Sequence, residues 1–251
     1  MIRSDERIDE VNENLRLIQK KNGLTFGTDA YLLYAYMRPK KNAVAVDLGA
    51  GTGIISLLSL AKDKYKTVTA VEIQSEFAEL IERNACLNQL EGRLSVVCKD
   101  MRELSAATLG REVDVVFSNP PYMKVDGGKV NRDEIKSVAR HEMFGGVGDF
   151  CKAASLLLKY GGSFYAVYRP DRLTELLKGM IDANLEPKRM TYVHADSNHT
   201  PSLVLVEAKK GGSVGLFVTK PLLLKDCSGN DTDEIRFIYQ NGVFQDEYAR
   251  P

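Results

Sequence analysis

The stretch AVAVDLGAGTGIISLLSLA, residues 43–61, decides the fold. Its opening alternates alanine with valine up to Asp47 and reads as a buried strand. Gly49, Gly51 and Gly53 then mark a turn, and Ile54–Ala61 carries a helical pattern. A strand, a glycine turn and a helix in that order bind nucleotide-like ligands, because glycines let the backbone come close and the helix start offers unpaired N–H groups. A dinucleotide fingerprint, G-x-G-x-x-G, requires glycine at 54 or 56, and those positions hold Ile54 and Ser56. A tight turn with no ligand is the plain alternative.

Outward from this unit, residues 42–208 alternate short apolar runs with amphipathic stretches. The runs predict strands at Ala43–Asp47, Thr67–Glu72, Leu94–Cys98, Val113–Ser118, Gly162–Tyr168, Met190–Ala195 and Ser202–Ala208. Helices are predicted at Ile54–Ala61, Ser75–Leu87, Met101–Leu109, Asp149–Leu158 and Pro170–Ala183. The last two strands are separated only by DSNHTP, which suits a hairpin and is too short for a crossover helix. The expected fold class is α/β: a doubly wound, seven-stranded, mostly parallel sheet with a C-terminal antiparallel hairpin. One domain over 1–251 is expected, with an N-terminal extension 1–41 and a polar loop near 124–140 that is too long for a passive connection and reads as a mobile lid.

Composition excludes whole classes of function. With 34 Lys and Arg against 34 Asp and Glu, any polyanion-binding face must be a local patch offset by acid elsewhere. The four cysteines include no C-x-x-C pair, which argues against zinc and against a disulfide-dense secreted domain, so no metal is expected and reduced thiols in the cytoplasm are. The first 23 residues are highly charged, and nowhere do eighteen apolar residues run together, so neither a signal peptide nor a membrane span is expected.

Two acids extend the argument. Glu72 closes the second predicted strand about twenty residues after the glycines, where a carboxylate can accept from ribose hydroxyls. Asp100 follows the third. Together with Asp47, Gly49, Gly51 and Gly53, this pattern resembles motif I and its companions in the class I S-adenosylmethionine-dependent methyltransferases. That resemblance implies a Rossmann-like fold and S-adenosylmethionine as cofactor. It also implies contacts from Glu72 and Ile73 at the ribose, and from Asp100 and the Met101 backbone at the adenine.

SNPPY, residues 118–122, ends the fourth predicted strand with an amide and two prolines. It is similar to motif IV of methyltransferases that act on planar nitrogens of adenine, cytosine, guanine or glutamine. An exocyclic amine is a poor nucleophile because its lone pair is delocalised. Asn119 can accept one of its N–H groups through the side-chain oxygen, and the Pro120 carbonyl can accept the other. Pro120 and Pro121 hold that carbonyl stiffly, and Tyr122 offers a face on which an extruded base can stack.

Over nearly its full length the chain resembles the bacterial tRNA adenine-N6 methyltransferases that modify the adenine beside the anticodon of a valine tRNA. The marks are FGTDAYLLYAY, SNPPYMK, ARHE at 139–142, YAVYRPDRL and LVLVEAKKGG. The resemblance implies that Phe26 and the Thr28–Asp29 pair sit over the methionine end of the cofactor; the plain alternative is that Phe26 is core and Asp29 caps the helix AYLLYAYM. It implies tRNA as partner, no membrane and a monomer; by charge and position Lys124, Arg140, His141, Arg169, Lys209 and Lys210 are the candidate RNA contacts, with a solvated surface cluster as the plain alternative. Glu186–Lys225 carries a net +3 and 124–140 a net +2, and both are expected near the pocket. The alternatives are a release-factor glutamine-N5 enzyme, an rRNA guanine-N2 enzyme, and a non-catalytic RNA-binding module.

Overall fold

The computed structural model describes residues 2–13, 15–21, 27–121 and 145–248. Strand ends, not strand interiors, decide where chemistry can sit, so the layout is given by its two rims. Seven main strands stand in the order β5 (Leu94–Cys98), β4 (Thr67–Glu72), β3 (Val44–Leu48), β6 (Val113–Ser118), β7 (Leu158–Tyr168), β9 (Pro201–Lys210) and β8 (Leu185–His194). The first five are mutually parallel, whereas β9 is antiparallel to both β7 and β8, as the short DSNHTP link demands. Two further two-residue strands, β10 (Phe217–Val218) and β11 (Leu222–Leu223), pair in parallel with β8, making nine strands in the sheet.

Alternate side chains serve two covered faces. Ala45, Val115, Phe117 and Tyr165 pack on one side with α1 (Thr28–Tyr36), α2 (Ile54–Ala61) and α3 (Ser75–Leu87). Val46, Leu48, Val116 and Phe164 pack on the other with α4 (Val147–Leu157) and α5 (Leu173–Asp182). A last helix, α6 (Asp233–Asn241), adds Ile235 and Ile238 to the first side.

The helix expected at Met101–Leu109 is a single 3-10 turn, Met101–Glu103. Ser105 and Thr108 explain the difference: each side-chain oxygen accepts from the other residue's backbone N–H, at 2.8 and 3.3 Å, which competes with helix bonding. Similarly, Pro170–Arg172 is a 3-10 turn ahead of α5.

The N-terminal region contains a hairpin the sequence reading does not predict, β1 (Glu6–Asn12) with β2 (Leu15–Lys20). Its edge is covered by two asparagines that imitate a neighbouring strand, Asn84 in α3 and Asn88 just after it. The Asn84 amide accepts from Ile18 N–H at 2.7 Å and donates to its carbonyl at 3.2 Å, and Asn88 does the same for Arg16. Buried Glu6 takes two bonds from the Arg83 guanidinium, 2.5 and 2.7 Å, which hold its carboxyl down at about 2.

Two buried cations close the core near the chain end. Lys64 donates to the carbonyls of Tyr34, Met37 and Gly242, while burial, with help from Arg189, pushes its ammonium down to about 7. Arg189 lies 2.9 Å from Glu207, bonds the carbonyls of Tyr36 and Tyr248, and covers the Tyr36 ring at 3.8 Å. Arg189 and Glu207 of the Glu186–Lys225 stretch therefore cancel inside the core, and its net +3 is carried by the other residues.

Candidate active site on the carboxyl rim

The chain leaves β3 toward β4 on one side and reaches β6 on the other, so the strand order reverses between β3 and β6. Open α/β sheets bind ligands at the carboxyl ends beside such a switch point. The register puts Asp47 opposite Phe117, which brings the glycine turn after β3 level with Asn119 after β6. Ser118 locks the two ends together by donating to the Leu48 carbonyl at 2.8 Å.

The glycine turn is held from beneath and from the side. Gly49 and Ala50 N–H both donate to the Val71 carbonyl, at 2.9 and 3.0 Å, and Gly51 N–H donates to Glu72 Oε2 at 2.9 Å. The other Glu72 oxygen accepts from Gln74 N–H at 2.9 Å, so this buried carboxylate spans the turn and the end of β4. Ile73 is half-buried next to it. Gly51 has φ +55°, and a Cβ there would meet nothing within 4 Å. The space above the turn is open, as a ligand resting on this backbone requires.

Asp47, expected among the cofactor contacts, lies inside: it is 1% exposed and accepts from Ser56 Oγ at 2.7 Å. It braces the first turn of α2 from below. Burial pushes its carboxyl up to about 7, with Glu72 adding to the effect and the Ser56 bond opposing it. Between its ordinary 3.8 and 7 the folded state thus binds more protons than the unfolded one, so stability falls as pH rises through that window. Wild type is expected to lose on the order of a few kcal/mol between pH 4 and pH 8 through this group, and Asp47→Asn to remove that loss. Urea unfolding at the two pH values checks this; equal slopes for both proteins would contradict it.

Asp100 follows β5 as expected, with Arg102 wrapped around it. The Arg102 backbone N–H and Nε both reach Asp100 Oδ1, at 2.9 and 3.0 Å, and the guanidinium also bonds Oδ2. That hydrogen-bonded pairing holds the Asp100 carboxyl below its ordinary value. Met101 is buried beneath the turn, with its terminal methyl beside Gly145.

Asn119 is half-buried, and its side-chain nitrogen donates to Asp29 Oδ2 at 3.0 Å. This bond defines which arm of the amide carries the nitrogen and turns the carbonyl oxygen to the opposite arm. Asp29 is not an N-cap: Gly27 holds that position, and Asp29 divides its carboxylate between Ala30 N–H and Asn119. A Cβ at Gly27 would lie 2.6 Å from Asp29 Oδ1, so the approach needs glycine there. Ser118 is a positioning residue that sequence reasoning missed; it singled out Asp29, but not the bond to Asn119. Pro120 is buried and Pro121 exposed.

Not every expected residue joins this group. Thr28 is exposed, bonds the Tyr239 side chain and lines a cleft of about 630 Å³ with Tyr31, Lys62 and Gly242; no residue of the glycine turn lines that cleft. Arg169 does stand on the carboxyl rim, just after β7, paired with Asp171 at 2.7 Å. Lys209 and Lys210 do not: β9 runs antiparallel to β7, so Lys209 sits opposite Ser163 near the amino end of the sheet, and Lys210 donates to the Leu158 carbonyl. They are corrected to the rim opposite Asn119. Phe26, Tyr122, Lys124, Arg140, His141 and the 124–140 loop lie outside the described residues.

A family model for the methyltransferase small domain matches residues 21–179. The tRNA1(Val) (adenine(37)-N6)-methyltransferase of Bacteroides fragilis is 30% identical over 186 residues, covering 74% of this chain and 77% of its own. The protein of the same name from Shewanella sediminis is 25% identical over 229 residues, covering 86% and 91%. Among solved structures, a predicted O-methyltransferase of Agrobacterium tumefaciens superposes with a TM-score of 0.70 at 22% identity, over 87% of this chain and 98% of that one, which shows the fold. The strand order, the glycine turn facing Asn119, and these matches lead to one conclusion: the chain belongs to the methyltransferase small domain family and, within it, to the tRNA1(Val) (adenine(37)-N6)-methyltransferases.

Proposed function

We propose that the protein transfers a methyl group from S-adenosylmethionine to the exocyclic N6 amine of an adenine beside the anticodon of a tRNA, in the cytoplasm. The observation that carries this reading is Asn119: it ends β6 level with the glycine turn, with its amide nitrogen tied to Asp29. Because flipping the amide would forfeit that bond, the carbonyl oxygen keeps the orientation in which it accepts an N–H. The Pro120 carbonyl accepts the second N–H, and two acceptors restrain the amine against conjugation with its ring. S-adenosylmethionine, when bound, supplies an electrophilic methyl on a sulfonium. Transfer is direct, with no covalent enzyme adduct, and no general base is needed, since the methylated ammonium is acidic and loses its proton to solvent.

The residues present suit that cofactor. The open space over Gly51 would receive its methionine portion, and Glu72 Oε2 keeps a second lone pair for a ribose hydroxyl, while Oε1 would exchange its long 3.5 Å bond from the Gln74 amide for another. Asp100 accepts from the adenine amino group once Arg102 yields; that ion pair is partly exposed, and solvent screening keeps such pairs weak. Asp47 acts from beneath, through Ser56 and the turn. The names of the relatives support tRNA as acceptor. Among the described residues no helix is long and apolar enough to cross a membrane.

Incubation with labelled cofactor and, separately, total tRNA, ribosomal RNA and release factor, followed by digestion, tests the reading. Labelled N6-methyladenosine from tRNA is expected. Methylguanosine, methylglutamine, or tight RNA binding without label would overturn it.

A further inference from the structure

The neutral chain hides an uneven distribution of charge. In a doubly wound sheet the stretches that follow strands gather on one rim and those that lead into them on the other. On the carboxyl rim, 49–53, 72–76, 99–103, 119–121, 169–175, 195–200 and 224–233 carry five Lys or Arg and ten Asp or Glu. On the amino rim, 38–43, 62–66, 88–93, 109–114, 158–161, 184–188 and 209–213 carry twelve and five. The sequence from 122 to 144 has five and four, too even to reverse the contrast. The strongly cationic face is the one opposite the methyl-transfer site.

Its densest part is built around Lys40, Lys159 and Lys209. Lys40 is pushed below its ordinary value by burial and then by Lys209, with Lys159 adding to it, so these like charges are held within reach of one another. The nearby acids do not cancel this group: Asp114 takes up the charge of Lys159, Glu207 is held by Arg189 and Arg38, and Lys40, Lys209 and the adjacent Lys41 supply the net positive charge. Clustered cations of this kind raise the local affinity for phosphate oxygens.

An aromatic ring stands among them. Tyr160 is 78% exposed, yet it is held in place, its hydroxyl donating to the Gly211 carbonyl at 2.9 Å. Gly211 has φ +65°, and a Cβ there would come within 2.1 Å of the ring, so only glycine lets the tyrosine lie against this turn. A fixed ring with an exposed surface beside lysines suits stacking by an unpaired base.

We infer that the amino rim around Lys40, Lys159, Tyr160 and Lys209 is a second RNA-docking face, which grips phosphates and one unpaired base of the acceptor RNA away from the methylated adenine. The inference rests on the reading that RNA is the acceptor. Strand β3 alone sets the rims roughly 17 Å apart, at about 3.3 Å per residue, and the far-rim contact is assigned to the part of the tRNA outside the anticodon stem-loop.

Fluorescence anisotropy with labelled valine tRNA and, separately, its stem-loop tests this over a salt series. Neutralising the rim with Lys40→Gln/Lys41→Gln/Lys209→Gln is expected to weaken full-length tRNA binding roughly tenfold and to lower the salt slope by about 2–3. Tyr160→Ala is expected to weaken tRNA binding with the slope unchanged. Stem-loop affinity and S-adenosylhomocysteine binding by calorimetry are expected to hold for both variants. Unchanged tRNA affinity in both, or an equal loss on stem-loop and tRNA, overturns the inference. Failure of the RNA reading itself shows separately, as wild type that methylates neither RNA.

Discussion

Asn119→Ala abolishes detectable methyl transfer while S-adenosylhomocysteine still binds with near wild-type affinity. The expected loss is on the order of 10²–10³ in kcat or more, because the variant removes one of two acceptors that align the amine, and alignment is the main source of rate in a direct transfer. Cofactor binding survives because the contacts expected to hold it stand on the turn after β3 and on Glu72, which do not depend on the amide. Asn119→Asp is expected to be as inactive. A carboxylate has no N–H to give Asp29, and it would place a second negative charge where the present contact is 3.0 Å. Single-turnover assays beside calorimetry separate the two effects. An alanine variant that retains turnover removes Asn119 from the chemistry.

Gly51→Val is expected to act in the reverse order, eliminating cofactor binding first. At φ +55° a β-branched side chain is strained, and backbone strain of this kind costs about 1–3 kcal/mol. The larger effect comes from position. The new Cβ would point into space now open for 4 Å, where the bound cofactor has to rest on the turn, so calorimetric affinity for S-adenosylhomocysteine should fall at least about a hundredfold. Glu72 still needs the Gly51 N–H, so a modest drop in melting temperature should accompany it. Wild-type affinity in a folded valine variant would place the ligand elsewhere on the rim.

Much of the architecture was legible before any coordinates. Strands β4, β5 and β6 and helices α2 and α3 coincide with the stretches expected from periodicity, because their patterns are local and their breakers lie in the same few residues. The hairpin β1–β2 was not legible. Its stability comes from Arg83 and Asn84 on α3 and Asn88 just after it, some seventy residues away in the chain, and nothing in its charged sequence announces such partners. Short polar side chains also misled: Ser105 and Thr108 sit in a helical-looking segment and bond each other's backbone instead.

The candidate site divides the same way. By itself the sequence determined the kinds of side chain at each strand end, the glycine turn, Glu72, Asp100 and Asn119, since strand followed by turn is a local signal. Only the tertiary structure decided which of them meet and how they are held: Asp29 at Asn119, Glu72 at Gly51, Asp47 turned inward onto Ser56, and Arg102 closed over Asp100. It also decided that Lys209 and Lys210 belong to the far rim, since a strand's direction in a sheet depends on the neighbour it pairs with, and that partner lies dozens of residues away in the chain.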